Sequence, residues 1–334
     1  MSFTPEQLAQ RRKGIGASEI GAIAGLNPYM SALDVYSEKV GLKESFEGNE
    51  RTMWGTILEP VIADQFFEKF SGSIGVKQMV EMETLHHLEA DFFYATPDRI
   101  LHLEDGSVSG LEVKNVGPGG RRHWGEQGTD EIPEWYLAQV AWQMFIVSNA
   151  IGVNIDKWFV AALFTGNELR VYEINWSDDL TDKLYKIGLV FWLEHVEKGN
   201  PPVDNAPLRS LNSYMAARFE DHDELIVDAS DQVESWVGEL QRLRELRETN
   251  NELIGTLEAA VKGFIGDNLG VRGSFGTITW KRTKDRVTVD NRGLVSKLLD
   301  AGKISRDDVS DHTIIKPGSR RFLAAFKTEG SNEQ

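Results

Sequence analysis

The sequence predicts an α/β protein, in which strand pairs alternate with helices. Two regions, 91–116 and 158–174, each contain two short runs of alternating apolar residues around a turn signal. Such pairs of runs are typical of β-hairpins. Between and around them, apolar residues recur three or four positions apart, which indicates amphipathic helices. A chain in which strand pairs alternate with helices is typical of the α/β class.

Helices are predicted on both sides of the first hairpin. Ser18 stands where an N-cap is expected, ahead of apolar residues at helical spacing, and Asn27-Pro28 would end that helix. Pro60 lies in the next apolar stripe and is expected near its start or at a kink. The further helices are predicted at 54–70, 133–147 and 180–196.

A Gly-Asn-Pro-Pro run at 199–202 is a linker signal and predicts a domain boundary. The domains predicted from it are 1–200 and a C-terminal extension at 201–334. Within the extension we predict a long helix at 231–264, followed by a basic α+β end at 271–330.

Charge is unevenly distributed along the chain. The formal net charge is −16, yet residues 271–330 carry 13 Lys and Arg against 7 Asp and Glu. An acidic body with a basic terminal segment fits either DNA held in a locally basic groove or a docking segment for another protein. It does not favour non-specific coating of DNA.

Composition excludes several chemistries. The chain has no cysteine, which removes thiol nucleophiles, disulfides and cysteine zinc sites. No run approaches the roughly 18 uninterrupted apolar residues of a membrane span, and the start lacks the apolar core of a signal peptide. We therefore predict a cytoplasmic protein without a membrane partner.

Candidate catalytic residues meet at one end of the first hairpin. With the turn centred at 105–107, Asp98 is expected opposite Lys114 or its immediate neighbours. Because side chains alternate along a strand, Glu112 and Lys114 share one face, while Leu111 and Val113 point to the core. The sequence therefore predicts two carboxylates and one ammonium group in a small space.

Such a cluster is costly unless a cation offsets it, because neighbouring carboxylates raise each other's pKa. Oxygen ligands from Asp98 and Glu112 suit Mg²⁺, and Lys114 would orient or help to deprotonate an attacking water. This chemistry is metal-assisted phosphodiester hydrolysis. An E-x-K triplet alone is also typical of a solvated strand face.

Four blocks of sequence extend the pattern beyond these residues. They are RRKGIGASE at 11–19 with LNPY at 26–29, WG at 54–55 with LEP at 58–60, ATPD at 95–98 with LEVK at 111–114, and AQV at 138–140. Over roughly residues 8–200 the chain resembles the YqaJ-type viral recombinase family, which comprises phage nucleases similar to lambda exonuclease.

The resemblance implies a PD-(D/E)XK, restriction-endonuclease-like core with a mixed central sheet flanked by helices. It implies an exonuclease that digests one strand of double-stranded DNA from 5′ to 3′ and leaves a 3′ overhang for a single-strand annealing partner. The expected cofactor is Mg²⁺, with Mn²⁺ possible and two ions present with substrate. The expected assembly is a ring-shaped homo-oligomer, commonly a trimer.

Residue roles follow from the same resemblance. Asp98 and Glu112 match the metal carboxylates, and the Val113 backbone carbonyl matches a further ligand. Lys114 matches the catalytic lysine. The supporting positions are Glu59, matching a helix glutamate at the metal site, and Gln139, matching a glutamine beside the active centre.

A second site concerns the 5′-phosphate. In the resembled family an arginine and a serine hold this phosphate, and Ser18 with Arg12 or Arg11 occupies these places. Ser18 at a helix start is also chemically suited to an anion. The other candidates for DNA contact are Arg99, which stands where the family usually has glycine, and the loop residues Arg121, Arg122 and Trp124. Gln143, four residues after Gln139, remains open between a catalytic and a solvated role.

Two other functions remain possible from the sequence. One is a DNA endonuclease of the same fold, which needs no 5′-phosphate pocket. The other is a non-catalytic, nuclease-like scaffold that binds DNA or protein. Intact Asp98, Glu112 and Lys114 count against the scaffold, and the Ser18 region counts against the endonuclease.

Overall fold

The computed structural model describes residues 11–43, 49–221, 224–284 and 290–313. The chain divides into two units, at 1–220 and 221–334. The division lies just after the helix Leu208–Arg218, which therefore belongs to the first unit. Ser210 Oγ of this helix donates a 2.7 Å hydrogen bond to Asp34. The division therefore lies twenty residues beyond the boundary expected from the Gly-Asn-Pro-Pro run.

The first unit contains eight strands and six helices among the residues that the structure describes. The strands are β1 (Ile15–Gly16), β2 (Val76–Val80), β3 (Leu85–His86), β4 (Phe93–Ala95), β5 (Arg99–Leu103), β6 (Val108–Val116), β7 (Lys157–Phe164) and β8 (Glu168–Asn175). The helices are α1 (Ala17–Ile23), α2 (Ala32–Lys39), α3 (Glu50–Ile74), α4 (Glu134–Ile151), α5 (Asp178–Val190) and α6 (Leu208–Arg218). A short 3₁₀ turn at Arg121–His123 and a π-helical turn at Phe191–Glu197 follow β6 and α5.

The central sheet has five strands in the order β2-β5-β6-β7-β8. The β6 and β7 strands run parallel, and the other neighbours are antiparallel. A smaller sheet, β1-β4-β3, pairs β1 with β4 in parallel. This mixed sheet with helices around it confirms the predicted α/β fold class.

Helices cover both faces of the sheet. On one face, Ile62 and Phe66 of α3 pack with Leu111 and Val113. On the other, apolar residues of α4 pack with β7, including Trp158. The alternation predicted along β6 is therefore confirmed, because Leu111 and Val113 enter the α3 core while Glu112 contacts α4.

The register of the first hairpin differs from the prediction. Arg99 pairs with Leu111, and the Leu103 N–H donates a 2.9 Å hydrogen bond to the Ser107 carbonyl. The turn is therefore centred on Asp105, one position earlier than predicted. Gly106 adopts φ +88°, a conformation that favours glycine. The prediction that Asp98 faces Lys114 or its immediate neighbours is wrong, because this register brings Asp98 towards Glu112 instead.

The start of α1 also differs from the prediction. Gly16 is the N-cap, and its N–H donates a 2.9 Å hydrogen bond to the Glu19 carboxylate. Ser18 is thus an exposed residue in the first turn rather than the cap. The reason is that β1 ends at Gly16 and the helix begins directly at Ala17. Glycine is favoured at position 16 because a Cβ would approach the Tyr94 ring to 2.9 Å.

We predict that Gly110→Ala lowers the free energy of unfolding by about 2 kcal/mol, the usual cost of overpacking a core. A Cβ at this position would lie 2.1 Å from the Cζ2 atom of the buried Trp158 ring. Urea denaturation measures the effect. Gly117→Ala is the matched control, since a Cβ there meets no atom within 4 Å. Equal stability of the two variants would contradict the packing argument.

The second unit contains a long helix, α7 (Asp231–Ile265), where the spacing predicts a helix at 231–264. Ser230 caps it, and its side chain accepts a hydrogen bond from the Val233 N–H. An antiparallel hairpin and two short helices follow: β9 (Gly270–Gly273), β10 (Gly276–Thr279), α8 (Asn291–Asp300) and α9 (Arg306–Asp311). Two parts of the basic end predicted at 271–330, namely 285–289 and 314–330, lie outside the described residues.

None of the described helices, in either unit, combines the length and the apolar character needed to cross a lipid bilayer.

Candidate active site

Glu112 lies at the centre of a buried polar cluster between β6 and α4. Gln139 Nε2 donates a 2.6 Å hydrogen bond to Glu112 Oε1, and Gln143 Nε2 donates one of the same length to Oε2. The two glutamines come from one face of α4, four residues apart, as helical geometry requires. Both carboxylate oxygens of Glu112 are therefore held in a fixed orientation.

Lys114 completes this cluster. Its ammonium group forms an ion pair with Glu112 Oε1 and lies 3.3 Å from Gln139 Oε1. It also lies 4.7 Å from the centre of the Tyr136 ring, a favourable cation–π position. Burial alone would lower the pKa of Lys114, but the Glu112 and Asp98 carboxylates outweigh it and raise the pKa. The lysine is therefore held as a cation.

Asp98 reaches the same centre from the position immediately before β5. Its Oδ2 atom accepts a 2.7 Å hydrogen bond from the Val113 N–H, which connects the two neighbouring strands. Burial raises the pKa of Asp98 well above its ordinary value, and the nearby Glu112 charge raises it further. Lys114 and the Val113 N–H oppose the shift, while Glu59 adds to it. Asp98 and Glu112 thus form a pair of close, mutually repelling carboxyl groups.

Arg99 connects Glu59 of α3 to this centre. Its Nη1 donates a 3.0 Å hydrogen bond to Glu59 Oε1 and another to the Asp98 carbonyl, and Nη2 lies 3.4 Å from Glu81. The Arg99 side chain is largely buried. The structure therefore places Arg99 as a support for Glu59 and for the Asp98 backbone.

The donor set determines which ion these residues could hold. Across the residues described by the structure, no group of three or more His, Cys, Asp and Glu side chains is arranged to hold a metal ion. Asp98 and Glu112 nevertheless supply hard oxygen donors whose mutual repulsion a divalent cation would relieve. Two carboxylates with open positions for water and phosphate fit Mg²⁺, which retains several waters. Val113 contributes its N–H to Asp98, and the ligand role of its carbonyl stays a prediction.

A second cluster of charged side chains connects α2 to the amino-terminal motif at residues 11–19. Glu19 and Lys39 are both buried, with 1% of each side chain exposed, and Lys39 Nζ lies 2.7 Å from Glu19 Oε2. Lys39 also donates a hydrogen bond to the Arg11 carbonyl, and Arg11 Nη2 lies 3.1 Å from Glu19 Oε1. Burial lowers the pKa of Lys39, and the Glu19 carboxylate opposes this shift. The network fixes residues 11–19 to α2.

This network separates the two arginines considered for phosphate binding. Arg11 is engaged with Glu19, whereas Arg12 is exposed on the surface, as is Ser18. The structure therefore uses Arg11 to hold the segment in place. Arg12 and Ser18 remain at the surface of the motif, together with Lys13.

The loop after β6 contains the remaining candidates. Arg121 forms an ion pair with Glu168, and Arg122 Nε lies 3.1 Å from His123 Nε2. Trp124 is partly buried and packs against three aromatic rings, those of Tyr136, Phe164 and Tyr172. These contacts account for Trp124 without a nucleic acid, while Arg121 and Arg122 are exposed.

Residues 6–150 match the YqaJ-like viral recombinase domain. The chain is similar to this domain over less than half of its length. The resemblance inferred from the four sequence blocks is thus confirmed. The match includes every residue of the Asp98, Glu112 and Gln139 centre, and it ends within α4.

The chain is also similar to individual proteins. The protein YqaJ of Bacillus subtilis (strain 168), described as uncharacterized, is 26% identical over 272 residues, which cover 78% of this chain and 81% of that protein. An alkaline exonuclease from Laribacter hongkongensis is 16% identical with a TM-score of 0.42, covering 59% of this chain and 94% of that one. A putative exonuclease from Eubacterium rectale is 12% identical with a TM-score of 0.39, covering 68% and 97% of the two chains.

Several residues of the YqaJ-like domain gain importance only from the structure. Gln143 is buried, with 1% exposed, so the solvated role left open for it is wrong. Its spacing from Gln139 is the sequence signal that connects it to Glu112. Glu19 and Tyr136 lie beside predicted residues in sequence, but Lys39 is 20 residues from Glu19 and offers no local signal.

Proposed function

We propose that the chain is a metal-dependent exonuclease that digests one strand of linear double-stranded DNA in the 5′ to 3′ direction. The observation that carries the proposal is the cluster of Asp98, Glu112 and Lys114 on two neighbouring strands. Carboxylate pairs with an adjacent lysine at the end of a sheet suit phosphodiester hydrolysis. The YqaJ-like viral recombinase domain supports this assignment.

Asp98 and Glu112 would hold Mg²⁺ or Mn²⁺, one ion or two with substrate, together with the Val113 carbonyl. When bound, the cation supplies electrostatic stabilisation for the charge that develops on the scissile phosphate. Glu59 supports the site through Arg99, which contacts the Asp98 backbone. Gln139 orients Glu112 Oε1 and lies within reach of Lys114.

Lys114 acts on the water that attacks the phosphate. Its ammonium group would orient this water by a hydrogen bond or help to deprotonate it. Tyr136 and Glu112 fix the position of this ammonium group. The side chain remains 18% exposed, so a substrate can reach it.

Arg12 and Ser18 would contact the 5′-phosphate of the digested strand. Both are exposed, and the Glu19–Lys39 network fixes the backbone that carries them. Arg121 and Arg122 add exposed positive charge for the DNA backbone. The overhang produced by this polarity would serve a single-strand annealing protein, and a ring-shaped homo-oligomer, commonly a trimer, would hold the duplex.

The test is digestion of DNA substrates that differ in their ends. We expect loss of one strand from a linear duplex with 5′-phosphates, slower loss from a duplex with 5′-hydroxyls, and no cutting of a covalently closed circle. The reaction should stop in chelator. Nicking of the circle would contradict the exonuclease and indicate an endonuclease. Absence of cleavage from every substrate would indicate a binding scaffold.

We predict that Gln143→Leu raises the Mg²⁺ concentration needed for half-maximal digestion by about 10-fold, the usual effect of residues that orient metal ligands. The substitution removes the donor to Glu112 Oε2 and replaces the amide with an apolar group of similar size. Titration of activity with Mg²⁺ measures the shift. Gln65→Leu, which removes only a contact with Glu68 on α3, is the control. An unchanged Mg²⁺ requirement in Gln143→Leu would rule out the orienting role.

A further inference from the structure

The long helix α7 carries a continuous heptad pattern. Taking Val233 as position a, the a and d positions are Val233, Trp236, Leu240, Leu243, Arg247, Asn250, Ile254, Leu257, Val261 and Phe264. Eight of these ten residues are apolar, and the two polar ones occupy the centre. The remaining large apolar residues of the helix lie at the flanking e and g positions. The outward positions b, c and f hold only charged, polar, Gly or Ala residues.

This stripe is exposed on the helix. Trp236 is 64% exposed, Leu257 58% and Phe264 78%. Ile265 is the buried residue of α7. The seam from Val233 to Phe264 therefore lies at the surface over about 47 Å, given a rise of 1.5 Å per residue. Five heptads exceed the three or four that identify a coiled coil. The seam therefore has the length and pattern of a helix that packs against another helix.

The helix itself contains features that call for a partner. Three glycines lie within the helix, and a Cβ added to any of them would meet no atom within 4 Å: Gly238, Gly255 and Gly263. Each glycine costs about 0.5–1 kcal/mol in a helix relative to alanine. Most of the stability of a helix in a protein comes from packing of its apolar face. Packing along the exposed seam would supply that stability.

We propose that α7 pairs with α7 of a second copy of this chain in an antiparallel coiled coil. The argument is that the seam is complementary to itself about its midpoint, between residues 248 and 249. Residues equidistant from this midpoint face each other in an antiparallel pair. The facing layers are Val233 with Phe264, Trp236 with Val261, Leu240 with Leu257, Leu243 with Ile254, and Arg247 with Asn250.

These layers match in size and in charge. Both aromatic residues face a valine, so large side chains meet small ones at the two ends. The polar residues meet at the centre, where Arg247 faces the amide of Asn250. A parallel pair in register would instead place Arg247 against Arg247 and Trp236 against Trp236. The antiparallel arrangement therefore avoids a like-charge contact and two crowded aromatic layers.

An antiparallel pair of identical helices is related by a two-fold axis, the commonest symmetry of homo-oligomers. The inference depends only on α7, so its test is independent of the nuclease assignment. The pairing residues belong to the second unit, whereas Asp98, Glu112 and Lys114 belong to the first. Pairing through α7 is expected to double the mass of whatever assembly those domains form.

Light scattering of the full chain tests the pairing. We expect the wild type and Ala259→Asp to have twice the mass of Leu257→Asp. Leu257 lies at position d in the seam, whereas Ala259 lies at the outward position f and receives the same new charge. Equal masses for all three proteins would overturn the proposal.

Cysteine cross-linking tests the orientation with a milder substitution, and the chain offers a clean background because it has no cysteine. Leu240→Cys and Leu257→Cys are prepared separately, mixed, equilibrated and oxidised. We expect disulfide dimers in the mixture, each containing one copy of both variants, and none in either variant alone. Cross-linking of each variant with itself would contradict the antiparallel arrangement, and absence of cross-linking in all three samples would contradict the pairing.

Discussion

Lys114→Met is expected to reduce the rate of DNA digestion by about 1000-fold, or about 4 kcal/mol of transition-state stabilisation. Methionine keeps the apolar length of the side chain, so Tyr136 retains a neighbour, but it cannot donate a hydrogen bond to water or phosphate. The substitution also leaves Glu112 without its cationic partner. Single-turnover digestion of a linear duplex measures the loss.

Lys157→Met is the matched control for this change. Lys157 begins β7 on the same sheet, is partly exposed, and lies 3.8 Å from Glu173 at the surface. We expect its digestion rate to remain within about 2-fold of the wild type, because exposed ion pairs contribute little. Comparable losses in the two variants would show that Lys114 has no special part in the reaction. Circular dichroism establishes that both variants are folded.

Lys39→Met is expected to lower the free energy of unfolding by about 3 kcal/mol, because it leaves the buried Glu19 carboxylate without its nearest cation. Glu19 retains Arg11 and the Gly16 N–H, so the protein should still fold. The loss of the bond to the Arg11 carbonyl should also loosen residues 11–19. We therefore expect a weaker preference for 5′-phosphorylated ends along with the lower stability.

Urea denaturation of Lys43→Met provides the comparison. Lys43 is almost half exposed and lies 3.8 Å from Asp34, so its loss should change stability by no more than about 0.5 kcal/mol. The double variant Glu19→Gln with Lys39→Met removes both charges and should lose less than the sum of the single changes. Additive losses, or a stable Lys39→Met, would contradict a coupled buried pair.

The sequence predicted the residues at the centre of the site better than the register of the β5–β6 hairpin that carries them. Glu112 and Lys114 were placed on one strand face because alternation along a strand is a local property. The pairing with Asp98 was wrong, because it depended on the centre of the turn, and Asp105 rather than Gly106 occupies it. A one-residue change in a turn moves every cross-strand pair by two positions.

Contacts between distant segments could not be predicted in the same way. Lys39 reaches Glu19 across the packing of α2 on the amino-terminal motif, and no local pattern indicates it. Arg99 was expected at the DNA, but its largely buried side chain supports Glu59. Tertiary packing determines which partner a long polar side chain contacts. The residue type therefore indicates the charge of the side chain but not its contacts.

The coiled-coil seam shows the opposite case. The helix predicted at 231–264 agrees with the observed Asp231–Ile265 because apolar residues recur at helical spacing on both sides of a polar centre. Periodicity over such a length is the strongest local signal in a sequence. What it could not give is exposure of the seam, which only the structure supplies.

The measurement that tests the central claim most directly is nucleotide release from a linear 5′-phosphorylated duplex in Mg²⁺ by the wild type, Glu112→Gln and Glu104→Gln. Glu104→Gln is the control, because it makes the same chemical change at an exposed position in the hairpin turn. We predict release by the wild type and Glu104→Gln, loss of at least about 1000-fold in Glu112→Gln, and no release in chelator. Equal release by all three proteins, or release that persists in chelator, would contradict a metal-dependent hydrolytic centre at Glu112.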